Sequence, residues 1–385
     1  MGTCGLFSAM QTPQYVKGIA MPRVFLLAVI LAVVCCGCGS DSDTDAPVAE
    51  NLVAEKPVAE KPVAENSVEQ NAVGQDADSS EISTVEAALA SVSATPGEYV
   101  RFPAVGVKIA QPDGFQVAEE FHGFAHTDSG CSILTLKIPG PFSEVTGGFT
   151  KERLGARGMV LHSKSEIEIE GFDGFLISLS QQAYGMNFKK WLVCFGDEES
   201  STMVTATFPA SAEKRIGAQL KKIVLAVKHD DGPPPPLGSD VGFTIATANK
   251  LKLTSDVGKT LLYTKDGVIP AKSPSDPFLV VARSIADVVA GDRRQYALNR
   301  LQQTADIKVT SIVSTEEVTV DSLDGFATVA EAVETDTDAP MIVYQVMLFD
   351  GRAYFLIQGR AGKELSDEFL GEFKEMARSF KRRVE

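Results

Sequence analysis

A pattern of short segments occurs twice in this sequence, at 98–230 and again at 238–385, and this duplication constrains the fold more than any other feature. The segment 105–110, Val-Gly-Val-Lys-Ile-Ala, recurs as Val-Gly-Phe-Thr-Ile-Ala at 241–246. An alternating segment that ends in Asp-Gly-Phe at 173–175 recurs, with the same ending, at 324–326. The copies span about 130–145 residues, which is the size of a domain and exceeds the ~20–50 residues of a solenoid repeat. The sequence therefore predicts two tandem copies of one domain.

Each copy has the hydrophobic pattern of strands that end in a helix. Strand-like segments include 132–138 and 278–283, and helix-like stretches follow at roughly 142–160 and 285–303. The last segment of each copy has apolar residues at three- and four-residue steps. These are Ile216, Leu220, Ile223 and Val227 in the first copy, and Leu365, Phe369, Phe373, Met376 and Phe380 in the second. The order β-β-β-α-β-β-β-β-α predicts an α+β fold, an antiparallel sheet flanked by helices.

A dipeptide of aspartate and glycine follows an alternating strand in both copies, at Asp173-Gly174 and Asp324-Gly325. Asp-Gly is a favoured two-residue hairpin turn, because both central residues need positive φ. We therefore predict that these pairs form turns, and we do not read the recurring carboxylate as catalytic.

Composition divides the chain into five segments. Four consecutive prolines, Pro233–Pro236, separate the copies, and proline fixes φ and removes backbone donors, so this linker is expected to be stiff. The predicted segments are a signal peptide at 1–37, a tether at 38–97, the first copy at 98–230, the linker at 231–237 and the second copy at 238–385.

An unbroken apolar run, Val24–Val34, follows Lys17 and Arg23 near the start of the chain. The run is too short to span a bilayer, which needs about 20 apolar residues, and it has the length of a signal-peptide core. It ends in Cys35-Cys-Gly-Cys38, which resembles a bacterial lipobox, where a cysteine after a small residue receives a diacylglycerol. We predict lipidation at Cys38; a conventional cleaved signal and an uncleaved membrane anchor remain alternatives.

The predicted anchor places the protein outside the cytoplasm. Several acyl chains on one cysteine hold a protein to a membrane almost permanently, because each buried CH₂ adds about 0.8 kcal/mol. Gly39 follows Cys38, where an aspartate marks inner-membrane retention in enteric bacteria. We therefore expect an exported protein that faces the periplasm or the cell exterior, with the outer membrane favoured.

The segment 38–97 has the composition of a disordered spacer. It contains a Val-Ala-Glu repeat with a five-residue period at 47–66 and no aromatic residue, and it holds twelve acidic residues against Lys56 and Lys61. Such a segment cannot bury enough apolar surface to offset its ordering entropy. The whole chain has a formal net charge of -15, which argues against nucleic-acid binding, because neutralising phosphates needs clustered Lys and Arg.

The pattern resembles the PsbP-like superfamily, which includes bacterial envelope lipoproteins of the DcrB and LpqN type. The resemblance lies in Pro112-Asp-Gly-Phe115 after an early strand, and in a final helix that ends in Ala377-Arg-Ser-Phe-Lys381. The second copy has Ala248-Asn-Lys-Leu251 in place of the first motif. The resemblance implies an antiparallel sheet covered by helices, without enzymatic activity and often with a partner protein. It implies no shared active site.

The remaining polar residues give few candidates for chemistry. His122 and His126 are close in sequence and near Cys131, but they lack the spacing of a metal site, so we predict no metal and no cofactor. Cys131 and Cys194 follow the predicted cleavage site, and an oxidising envelope permits a disulfide between them; two buried free thiols are the alternative.

These observations favour a non-enzymatic binding or scaffold module held at a membrane. The absence of a nucleophile and base arrangement makes an enzyme the least favoured class, and two tethered domains suit contact with an envelope protein partner. The alternative is a carrier of a small ligand, such as a lipid or a cell-wall fragment, in a pocket between sheet and helix.

Overall fold

The computed structural model describes residues 93–383, apart from short gaps at 127–128, 184, 248–249, 270–272, 274, 286–287 and 289–290. The predicted signal peptide, Cys38 and almost all of the predicted tether lie outside the described residues. Every core cluster of the described chain lies within residues 94–380, so a fragment of residues 93–385 contains its own core.

The first half of the described chain, residues 93–230, forms a seven-stranded antiparallel sheet and a small three-stranded one. Its strands are β1 (Pro96–Phe102), β2 (Val107–Pro112), β3 (Gln116–Val117), β4 (Gly123–His126), β5 (Cys131–Pro139), β6 (Met159–Ile169), β7 (Phe172–Ala183), β8 (Met186–Gly196), β9 (Ser200–Pro209) and β10 (Lys228–His229). Its helices are α1 (Phe142–Thr146), α2 (Lys151–Gly155) and α3 (Ala218–Leu225). The large sheet has the order β3-β4-β5-β9-β8-β7-β6, and the small sheet is β1-β2-β10.

The second half of the described chain, from residue 238 onward, also forms a seven-stranded antiparallel sheet. Its strands are β11 (Phe243–Thr244), β12 (Leu251–Val257), β13 (Thr260–Lys265), β14 (Phe278–Arg283), β15 (Ile307–Val320), β16 (Leu323–Glu334), β17 (Pro340–Asp350), β18 (Ala353–Gly362) and β19 (Lys381–Arg382). Its helices are α4 (Arg293–Gln302) and α5 (Ser366–Arg378). The large sheet has the order β12-β13-β14-β18-β17-β16-β15, and β11 pairs with β19.

The two large sheets have the same strand order. In each, the first three strands pair in sequence, the last strand lies beside the third, and the others return in reverse to the far edge. The registers also correspond, because Gly174 pairs with Phe195 as Gly325 pairs with Leu348. The structure thus contains two antiparallel sheets of one topology, each with few and short helices. Common ancestry, the domain boundaries and PsbP-like membership stay predictions.

Each sheet is covered on both faces. The final helix packs on one face through fully buried residues at the predicted spacing, among them Leu220 of α3 and Phe373 of α5. The opposite face of the first sheet packs against Val145 and Leu154 of α1 and α2, and that of the second against Leu301 of α4. Helix amphipathicity explains this arrangement, since each helix buries one apolar stripe.

The predicted long helix at 142–160 is wrong in extent. Two short helices occupy 142–155, and the strand β6 already begins at Met159. The chain leaves the first helix at Gly147-Gly148, and Gly158 has φ +69°. Glycine is a weak helix former and adopts positive φ at little cost, so it ends helices more often than it continues them.

The predicted Asp-Gly turns are also wrong. The hairpin turns lie three residues earlier, at Glu170-Gly171 and at Asp321-Ser322, where both residues have positive φ. Gly174 lies inside β7, where a Cβ atom would come 3.1 Å from the carbonyl oxygen of Cys194. At Gly325 the added atom would collide with the carbonyl of Met347. The recurring glycine therefore permits close approach of the neighbouring strand.

The two halves are in contact. Val257 of the second half belongs to the core cluster that covers the outer face of the first sheet. Beside it, His122 Nε2 lies 2.5 Å from Asp240 Oδ2, and Arg283 forms an ion pair with Glu120 at 3.1 Å. Within the described residues, no helix is long and apolar enough to cross a membrane.

Candidate functional site

A cleft of about 210 Å³ lies between the second sheet and its final helix. Its walls are the edge strand β15 and its neighbours β16 and β17 on one side and the last two turns of α5 on the other. Apart from Thr319, the strand residues that line it occupy alternate positions, because successive residues of a strand point to opposite faces.

The floor of the cleft is apolar. Val318, Ala327, Val329 and Val346 lie next to one another across the three strands, and Ala377 closes the floor from the helix. Ala327 is the smallest of the strand residues, and it pairs with Glu316 on one side and Val346 on the other. The cleft therefore lies where β16 places the small side chain of Ala327 among the valines of the floor.

The rim of the cleft is charged. Lys374 and Arg378 stand one turn apart on α5, since residues four apart share a helix face, and Glu316 faces them from the edge strand. Lys374 is half-buried, whereas Arg378 and Glu316 are exposed. Among the residues that the structure describes, none of these three side chains forms an ion pair within 4.0 Å.

Tyr344 lies between the apolar floor and the charged rim. It is 5% exposed, and burial raises the pKa of its phenol to about 12; Arg378 nearby opposes this rise and Glu316 adds to it. The phenol is therefore protonated at neutral pH and presents an O–H donor in addition to an acceptor oxygen.

At two of the corresponding positions the first sheet carries bulkier apolar side chains, Leu176 and Trp191, whereas Ser178 holds the position of Val329. Leu176 pairs with Val193 as Ala327 pairs with Val346, and Trp191 pairs with Ser178 as Tyr344 pairs with Val329. Leu176 and Trp191 are partly buried and pack against the core.

The final helix of the first half shows the same difference. Lys221 lies over the Trp191 ring at 4.8 Å, and it corresponds to Lys374 because the buried residues of α3 and α5 match in sequence spacing. Leu225 packs on the core where α5 has Arg378. At three positions, the first half thus has apolar side chains packed on its core where the second half has residues that line the cleft.

The two cysteines are free thiols in this structure. Cys131 belongs to the core on the α3 side of the sheet, and Cys194 to the core on the opposite face. Their strands, β5 and β8, are separated by β9, whereas a disulfide needs Cα atoms within about 7 Å and Cβ atoms that point at each other. Burial raises the pKa of both thiols, that of Cys194 to about 12. The geometry supports the free-thiol alternative.

The two histidines that bracket Gly-Phe-Ala have separate surroundings. His122 is buried and reaches across to Asp240 of the second half, whereas the His126 ring packs edge-on against Phe115 at 5.4 Å. Within the described residues, no group of three or more His, Cys, Asp or Glu side chains is arranged to hold a metal ion.

The most deeply buried charged side chain of the described residues lies outside the cleft. Arg360 of β18 is 1% exposed, and burial lowers the pKa of its guanidinium to about 9, while Asp306 and Glu334 oppose this fall. Its guanidinium stacks on the Phe278 ring at 4.6 Å. Asp306 and Glu334 partly compensate the buried charge of Arg360. We interpret this group as structural, because removing one partner alone would leave an uncompensated charge in the core.

The sequence indicated a pocket between sheet and helix in general terms, but not the residues of this cleft. One difference was visible in the sequence. When the copies are aligned on Gly174 and Gly325, Leu176 of the first falls at the position of the smaller Ala327 of the second. The positions Tyr344 and Arg378 have no such signal, because their meaning depends on which strand and helix residues meet.

No protein-family model matches this sequence, and neither does any curated protein sequence. Among solved structures, LpqN of Mycobacterium tuberculosis, described as involved in cell envelope biogenesis, is 11% identical with a TM-score of 0.28; the match covers 37% of this chain and 83% of that one. The immunity protein TplEi of the Pseudomonas aeruginosa T6SS is 11% identical with a TM-score of 0.27, and the match covers 74% of this chain and 97% of that one.

The cyanobacterial PsbP of Synechocystis is 10% identical with a TM-score of 0.24, and the match covers 37% of this chain and 82% of that one. At these identities and scores, none of the three matches carries an inference about function.

Proposed function

We propose that this protein is a non-enzymatic binding module, exported and held at a membrane through Cys38, whose ligand site is the cleft of the second half. One observation carries this proposal. The two sheets share a topology, but beside the final helix the second has Ala327 below a charged rim where the first has Leu176 and Leu225 packed on its core. Concave sites with an apolar lining and a few polar groups are the usual form of small-ligand sites.

The arrangement supports binding rather than catalysis. The lining has no histidine or cysteine, and its one tyrosine has a raised pKa, so the cleft offers hydrogen bonds and charge without an activated nucleophile. In this proposal the first half, which has apolar side chains packed on its core at three of the corresponding positions, serves as the structural unit between tether and binding domain.

The site is tested with the fragment 93–385 and an Ala327→Leu variant, in which three added carbon atoms enter the cleft. Both proteins are incubated with a small-molecule extract of the cell envelope, desalted and examined by native mass spectrometry. We expect a small-molecule adduct on the wild type that the variant lacks.

Ala353→Leu provides the matched control, because Ala353 lies in β18 and does not line the cleft. It should retain the adduct. Adducts of equal abundance on wild type and Ala327→Leu, or none on either, would refute the cleft as the site.

The membrane anchor has a separate test. Cells that express the full chain are labelled with radioactive palmitate, and incorporation should be lost in Cys38→Ser. Equal labelling of wild type and variant would refute Cys38 as the acceptor, without affecting the cleft.

A second candidate function is recognition of a partner protein at the free edge of the second sheet. Ile312 and Val313 of the edge strand β15 are 41% and 59% exposed. An exposed apolar edge is a template for strand addition. A photocrosslinking residue at Val313 should capture one protein in intact cells. The same residue at Lys252, on the opposite edge, should not.

A further inference from the structure

We infer that the cleft takes a small organic carboxylate with a short apolar tail, the head group held by Lys374 and Arg378 and the tail lying against the valine floor. This inference rests on the proposed function, because it names the ligand class of the same site. It depends on three features of the cleft, which are the cations of its rim, the carboxylate of Glu316 and its size.

The charge of the rim differs from that of the rest of the chain. The sequence has 51 acidic against 36 basic residues, yet the cleft is lined by two cations and one carboxylate. Lys374 and Arg378 form no ion pair among the described residues, so their charges are available to an incoming anion. A carboxylate between an ammonium and a guanidinium accepts charge-assisted hydrogen bonds, which are about twice as strong as neutral ones.

Glu316 limits the net charge that the ligand can carry. Its carboxylate lies across the cleft from Arg378, and both side chains influence the phenol of Tyr344. A second negative charge on the ligand would meet Glu316 at short range, where like charges repel. A single carboxylate at the helix side fits the rim better than a phosphate or a dicarboxylate.

The size of the cleft limits the tail. Pockets for drug-sized ligands measure roughly 300–1,000 Å³, and this cleft measures about 210 Å³. Its floor is formed by β-branched valines and alanines, which offer no hydrogen bond from a side chain. One short alkyl chain therefore suits the floor, whereas a two-chain lipid exceeds the space.

The test is isothermal titration of the fragment 93–385 with three probes of equal chain length, namely sodium octanoate, 1-octanol and octylammonium chloride. We expect octanoate to bind with 1:1 stoichiometry and at least about tenfold more tightly than the other two probes. Lys374→Gln/Arg378→Gln should weaken octanoate binding by about 10- to 100-fold and leave octanol binding unchanged.

Lys221→Gln provides the matched control, because Lys221 holds the corresponding position over Trp191 in the first half. It should leave all three affinities unchanged. Ala327→Leu should abolish octanoate binding, which ties the measured heat to the cleft.

The outcomes separate this inference from the proposed function. Octanol or octylammonium binding as tightly as octanoate, in a manner that Ala327→Leu abolishes, would overturn the carboxylate and leave the cleft as a binding site. Failure of octanoate to saturate the fragment would overturn the inference, while the envelope-extract adduct still decides the proposed function.

Discussion

The two large sheets share a strand order and differ in how tightly the final helix packs on them. In the first, Leu176, Trp191 and Leu225 pack on the core beside α3; in the second, Ala327 and Tyr344 line a cleft below Arg378. The same topology therefore supports a closed and an open face, because strand order depends on backbone pairing, whereas the cleft depends on side-chain volume at a few facing positions.

At a second pair of positions, the strand residue and the helix residue compensate each other in volume. Ala206 of β9 corresponds to Gly359 of β18, as Ile133 pairs with the first and Leu279 with the second. The helix residue above Gly359 is Phe373, and the corresponding residue of α3 is the smaller Leu220. The smaller strand residue accompanies the larger helix residue, so the volume of each pair is roughly conserved.

The largest effect is expected from Gly359→Ala. An added Cβ atom would lie 2.5 Å from Cγ of the Phe373 ring, which is wholly buried and has no room to move. We expect the free energy of unfolding to fall by about 1–3 kcal/mol, the usual cost of overpacking, as measured by urea denaturation. Adding Phe373→Leu recreates the pair of the first half and should recover much of the loss. A double variant no more stable than Gly359→Ala would contradict the correspondence.

The most direct test of the comparison is to introduce a cleft into the first half. The triple variant Leu176→Ala/Trp191→Tyr/Leu225→Arg places the residues of the second half at the matching positions. Removing partly buried apolar groups should cost roughly 1–3 kcal/mol of stability. The octanoate stoichiometry should rise from one to two in isothermal titration. An unchanged stoichiometry with an intact fold would show that more than these three positions shapes the cleft.

The contact between the halves predicts a pH dependence. The hydrogen bond with His122 is the main effect that lowers the pKa of the Asp240 carboxyl below its usual value, and burial opposes this fall. A lowered folded-state pKa gives stability that is present above the unfolded pKa of about 3.9 and is lost as pH falls through the folded value. Asp240→Asn should therefore flatten the decline of stability below about pH 4, as measured by thermal denaturation. An acid limb identical to wild type would argue against the pairing.

The smallest effect is expected at the two thiols, both of which belong to the first half. Because Cys131 and Cys194 are buried and have raised pKa values, the native fragment should resist iodoacetamide at pH 8 and take up two labels only after unfolding. Mass spectrometry with and without reductant should give the same mass. A decrease of two hydrogen masses without reductant would reveal a disulfide between them.

Much of the fold was predictable from the sequence because it depends on local periodicity. The alternating strands, the closing helices and the recurrence of both in the second half follow from the apolar pattern alone. The hairpin turns were not predictable from Asp-Gly, since Glu170-Gly171 and Asp321-Ser322 adopt positive φ instead. The turns lie three residues before that dipeptide. Gly174 and Gly325 therefore fall inside β7 and β16, where they permit close approach of the next strand.

By itself, the sequence determined two similar halves, their strands and helices, and an acidic segment before them. The tertiary structure decided which side chains meet. Leu176, Trp191 and Leu225 are distant in the chain, and so are Ala327, Tyr344 and Arg378, yet each set converges beside the final helix of its half. A cleft is a local deficit of volume summed over such positions, and only the folded arrangement brings them together.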